Sequence, residues 1–120
     1  MIGEFSWSSF IEVPGFLARW DDIRCTDRDL RGLQLMLLSA PTRWPVVPGA
    51  GGWRKARFAP QSWPQGKSGA VRVYYAELRV VGMILLGAAF TKSEMSDLEK
   101  KDKRELGALL AVYRKRFEEF

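Results

Sequence analysis

Six basic residues and a single acid, Glu77, lie between Arg54 and Arg79, and their local balance of +5 equals the net charge of the whole 120-residue chain. Arg54, Lys55 and Arg57 sit in one apolar-flanked run, Lys67 follows in a Gly-rich loop, and Arg72 opens the run Arg72-Val73-Tyr74-Tyr75. Arginine and lysine carried on adjacent strands form a footprint for a phosphate backbone, since a planar guanidinium matches phosphate oxygens and stays charged. The plainer reading of the same cluster is solvent-facing charge. Strand alternation puts Lys55 and Arg57 on one face and turns Arg54 away from them. Lys67 and Ser68, in Gly66-Lys67-Ser68-Gly69, read as a basic loop lying on a nucleic-acid backbone. A nucleotide P-loop does not fit there, because the upstream glycine is missing and no helical pattern follows. Tyr74 and Tyr75 alternate, so one is expected in the core. An exposed Tyr74 could stack on a base.

Composition narrows the chemistry. With no His and one Cys, Cys25, the chain lacks ligands for a structural zinc and the commonest neutral-pH acid or base. No metal and no cofactor is expected, and proton transfer falls to Lys, Tyr, a carboxylate or water. A lone Cys forms no internal disulfide, which fits a reducing, cytoplasmic setting. The longest uncharged apolar run, Val80 to Thr91, is too short to cross a bilayer, and the N-terminus does not read as a secretory signal. Residues 1–120 read as a single domain.

The elements that must hold these side chains follow from spacing. Ser8–Val13 is a first strand with Phe10 and Ile11 as its inward candidates. Pro14 opens a short helix with Phe16, Leu17 and Trp20 as its apolar face. Asp27 caps a second helix over Arg28–Ser39, where Leu30, Leu33 and Leu37 recur at helical spacing. A Pro- and Gly-rich loop follows, with Val46 and Val47 tucked in. Three strands come next: Trp53–Phe58, then Val71 onward with Val71, Val73 and Tyr75 on one face, then Val80–Phe90. Leu106, Leu110, Tyr113 and Phe117 mark a terminal helix. The fold class is α+β, a small antiparallel β-sheet packed against two N-terminal helices and a C-terminal helix, with the helices covering one sheet face.

The run G-x-G-G-W-R-K-x-R-F at 49–58, the segment G-K-S-G-A-V-R-V-Y-Y at 66–75 and the closing F-T-K-S-E-x-S-D-L at 90–98 resemble the RelE/HigB-type toxins of bacterial toxin–antitoxin pairs, the HigB-like branch above all. The likeness extends from Phe10 to Phe117. It implies a RelE-like fold and a metal-independent, ribosome-dependent endoribonuclease that cuts translated messenger RNA. It also implies a cognate antitoxin, a helix-turn-helix protein from the adjacent gene, with the ribosome and message as the other partners and no membrane. The family's basic sheet positions fall on Arg54, Lys55, Arg57, Arg72 and Lys92; of these Lys55, Arg57, Arg72 and Lys92 are the expected catalytic residues, and Arg54 joins Lys67, Ser68 and Tyr74, read from their own places in the chain, as an expected RNA contact. Many relatives place a tyrosine a few residues beyond Lys92. Leu98 stands at that place here, as the HigB-like branch allows.

Cleavage by the 2′-hydroxyl requires its deprotonation, stabilisation of phosphoryl charge and neutralisation of the leaving 5′-oxygen. Arg72, held on a strand, suits the second task, its alternative being a salt bridge with Glu77 or Glu94. Lys92 suits the third, its alternative being solvated charge. Two further functions on the same fold stay open: a non-enzymatic toxin acting on a protein such as gyrase, and a phage-type protein that keeps only an RNA-binding face.

Overall fold

The computed structural model describes residues 9–64, 70–94 and 97–118. Its elements run β1 (Ser9–Glu12), α1 (Phe16–Asp22), α2 (Asp27–Ser39), β2 (Arg54–Phe58), β3 (Val71–Leu78), β4 (Met83–Phe90) and α3 (Lys100–Glu118). The four strands form one sheet in the order β1-β4-β3-β2. β2, β3 and β4 make an antiparallel meander, while β1 joins the outer edge of β4 in parallel. The sheet is therefore mixed rather than wholly antiparallel. The alternation of a strand reveals its two faces but not its partner, and a four-residue strand followed by two helices can return on either edge.

Helices cover both faces, not one. Val71, Val73 and Tyr75 of β3 pack with Ile84, Leu86, Phe16, Trp20, Leu33 and Leu37 under α1 and α2. Tyr74, Ala76 and Leu78 pack with Leu85, Trp53 and Leu110 under α3. Every residue of β3 is consequently buried, as expected of a central strand closed on both sides.

Local chemistry sets the element ends. Thr26, not Asp27, caps α2: its side chain accepts from the Asp29 N–H at 3.1 Å, and the Asp29 carboxylate accepts from the Thr26 N–H at 2.8 Å. That reciprocal capping box satisfies two helix-end donors at once. Asp29 also accepts from the backbone N–H of Ser62 at 3.2 Å and from its hydroxyl, tying the loop after β2 to the helix. On α1, Phe16 and Trp20 are buried, whereas Leu17 is half exposed. Val47 packs inward while Val46 lies half exposed, bridging to Arg54. Val80 belongs to the turn before β4 and is 64 % exposed.

The Gly-rich run before β2 docks α3. A Cβ at Gly51 would lie 3.1 Å from the Gly107 Cα, so the two backbones touch at small residues. The Trp53 indole N–H donates to the Leu106 carbonyl at 2.6 Å. Its ring lies over Gly87, where a Cβ would come within 2.5 Å of the indole. Gly87 is the extra residue of a bulge between β3 and β4, since Tyr74 pairs with Ala88 and Tyr75 with Leu86.

Candidate functional site

The register aligns the basic residues in rows across the sheet. Arg57 on β2 faces Arg72 on β3, and Arg72 faces Phe90 on β4. Lys55 faces Tyr74, which faces Ala88. All six lie on the α3 side, because Trp53 and Tyr74 of the same alternation pack there. Opposed residues of an antiparallel pair have Cα atoms about 4.5–5.5 Å apart, so Lys55, Arg57, Arg72 and Tyr74 form one compact group.

Arg72 is the unusual member. It is only 9 % exposed, its Nη1 donates to the Ala70 carbonyl at 2.9 Å, and its buried Nε has no acceptor among the described residues. Neither Glu77 nor Glu94 pairs with it: Glu77 pairs with Arg54 and Arg79, and Glu94 pairs with Arg19. A buried guanidinium N–H with no partner is costly and uncommon in native proteins. Arg57 beside it is exposed and makes no ion pair to any described residue. Lys55 Nζ lies 3.3 Å from Asp97, an acid 89 % exposed, so this pair is weak and readily exchanged. Two arginines opposed across strands without an intervening carboxylate repel. An anion placed beside them would offset that repulsion.

Tyr74 differs from its expected role. It is 1 % exposed, meets Phe90 edge-on with centroids 6.2 Å apart, and offers no open face for a base. Both tyrosines are core residues, because both faces of β3 are covered. Burial, with the Asp97 carboxylate assisting, pushes the Tyr74 hydroxyl above its ordinary pKa against the opposing pull of Arg72. Tyr74 is thus neutral at physiological pH.

Arg54, expected as an RNA contact, is committed to the structure on the opposite face. Its Nε donates to Glu77, and its Nη1 donates to the carbonyls of Trp44 at 2.6 Å and Thr42 at 3.2 Å. Lys92 is exposed in the turn just after β4, two residues beyond Phe90, and makes no ion pair to any described residue. Lys67 and Ser68 lie outside the described residues.

Sequence reasoning missed Arg19, on α1. Its guanidinium lies 5.7 Å from the centre of the Phe90 ring, and Phe90 is the cross-strand neighbour of Arg72. Nothing in the spacing of α1 signals that reach. It also missed a cavity of about 220 Å³ lined by Phe90, Leu98, Leu106 and Leu109 together with Asp102 and Glu105. Among the described residues, no three His, Cys, Asp or Glu side chains converge as a metal site, and no helix is long and apolar enough to cross a membrane. No protein-family model matches the chain.

Proposed function

We propose that the protein is the toxin of a RelE/HigB-type toxin–antitoxin pair, an endoribonuclease that cuts messenger RNA on the ribosome in the cytoplasm and is silenced by a cognate antitoxin. The observation that carries this reading is the opposition of Arg57 and Arg72, with the Arg72 Nε–H buried and, among the described residues, without an acceptor. A phosphoryl group seated against the exposed Arg57, beside Arg72, relieves the repulsion between them. The order of elements and the motifs at 49–58, 66–75 and 90–98 support the family reading beside it.

In the reaction, the 2′-oxygen of the message attacks the adjacent phosphorus and its proton passes to water or to a group on the ribosome. The P–O2′ bond forms as the P–O5′ bond breaks, leaving a 2′,3′-cyclic phosphate and a 5′-hydroxyl. Arg72 and Arg57 stabilise the charge that builds on the non-bridging oxygens, and their strands hold them in place beforehand. Lys55 adds positive field from the next row, while the Lys92 ammonium donates a proton to the leaving 5′-oxygen. With no His in the chain, alignment by the ribosome contributes what the protein's own proton-transfer groups do not.

The test is primer extension on messages after brief induction in cells without antitoxin. The reading expects new 5′ ends within translated regions and arrest of protein synthesis. Arrest with intact messages and blocked DNA supercoiling would assign the fold to a gyrase-type target instead, and normal growth at confirmed expression would remove the toxin reading.

A further inference from the structure

The turn that carries Lys92 is tied at both ends to one side chain. β1 accompanies β4 only from Met83 to Leu86, so the outer edge of β4 is open from Gly87 onward. Arg19 of α1 fills that gap: its Nε donates to the Ala89 carbonyl at 3.2 Å, where a neighbouring strand would have done so. The same guanidinium lies over the Phe90 ring and pairs with the Glu94 carboxylate through Nη2. Glu94 in turn accepts from the Thr91 N–H at 2.8 Å and from the Thr91 hydroxyl at 3.0 Å, and its own N–H donates to the Thr91 carbonyl at 3.1 Å. Ala89 and Phe90 precede Lys92 and Glu94 follows it. One planar fork, with donors in a fixed geometry, thus sets both sides of the turn against the row that contains Arg72.

We infer that Arg19, with Glu94, is a positioning residue that holds the Lys92 ammonium beside the Arg57–Arg72 pair. This rests on the proposed function, in which Lys92 serves the leaving oxygen. A lysine on an untethered turn samples many orientations, and misplacement of a reacting group by about 1 Å can cost up to about a hundredfold in rate. Arg19 itself need not touch the message, because its charge is matched by Glu94.

A double-mutant cycle separates this role from a merely structural one. Single-turnover cleavage of ribosome-bound message is measured for the parent, Arg19→Ala, Lys92→Ala and the double variant, with a melting curve for each. The expected result is a loss of about tenfold to a hundredfold for Arg19→Ala, no further loss when Arg19→Ala is added to Lys92→Ala, and partial recovery in Arg19→Lys, which keeps the charge but not the fork. Equal losses from Arg19→Ala with and without Lys92 would overturn the inference while leaving the nuclease reading intact. A parent that does not cut removes that reading and the inference together. Should Arg19→Ala unfold, Glu94→Gln completes the same cycle, since the amide oxygen can still accept from Thr91 while the ion pair to Arg19 is lost.

Discussion

Arg57 and Arg72 stand directly opposite one another on β2 and β3, on the same face of the sheet, and neither guanidinium meets a carboxylate among the described residues. Three arginines elsewhere do form ion pairs among the described residues: Arg19 with Glu94, and Arg54 and Arg79 with Glu77. The opposed pair lies in the stretch where the sequence concentrates its charge.

Replacing Arg72 by Met tests whether that pair is retained for function. Met fills much of the same volume and removes a buried donor that has no acceptor among the described residues, together with the like charge opposite Arg57. The expected outcome is a melting temperature equal to or above the parent's, with translation arrest reduced about a hundredfold or more, the loss typical of one preorganised donor to developing charge. A variant that melts well below the parent assigns Arg72 to the fold instead.

Arg54 and Glu77 make the opposite prediction. Both side chains are mostly buried, 17 % and 7 % exposed, and Arg54 also holds the carbonyls of Thr42 and Trp44. Glu77→Gln leaves a buried guanidinium without its counter-charge, a loss on the order of 3 kcal/mol. Denaturant unfolding should show a lower midpoint with an unchanged slope. Arrest per folded molecule should match the parent. Unchanged stability would mean that solvent reaches the pair more freely than its burial indicates.

Asp29 predicts acid sensitivity. Burial would raise its carboxyl above the ordinary value of 3.8, but the hydrogen bonds from Ser62 and Thr26 outweigh that and hold it lower. A depressed folded pKa contributes stability that is present above the unfolded value and lost as pH falls through the folded one. Melting temperature should therefore fall below pH 3.8 more steeply in the parent than in Asp29→Asn. Asp29→Asn should already be less stable at neutral pH. Parallel acid limbs in the two proteins would place the titration elsewhere.

Gly87 is read as space for Trp53. A methyl there would meet indole carbons at 2.5 Å, and the indole is held by its bond to the Leu106 carbonyl. Gly87→Ala should cost roughly 1–3 kcal/mol by overpacking and alter the near-ultraviolet circular dichroism. A neutral substitution with an unchanged spectrum would show that the ring moves aside.

Much of this arrangement was legible beforehand. The two-residue period placed Lys55 and Arg57 together and Arg54 apart, and the helical period placed Leu106, Leu110 and Tyr113 against the sheet, as found. What failed were properties of partners rather than of segments. Tyr74 was expected to be exposed because alternation implies one wet face, but α3 covers that face. The parallel pairing of β1 depends on which edge of the sheet was open. The cap of α2 moved by one residue because Asp29 answers Thr26, a reciprocity that favours the Thr over the neighbouring Asp27. Arg19 was invisible because its role arises only where β1 ends short of β4.

The most direct test of the central claim uses purified protein in a reconstituted translation reaction, with message cleavage mapped by primer extension and naked RNA alongside. The parent should cut message engaged on the ribosome and leave the same RNA nearly intact when free. Arg57→Ala and Arg72→Met, both folded, should cut about a hundredfold more slowly or not at all. Cutting by Arg72→Met at the parent's rate, or efficient cleavage of free RNA by the parent, would contradict the account.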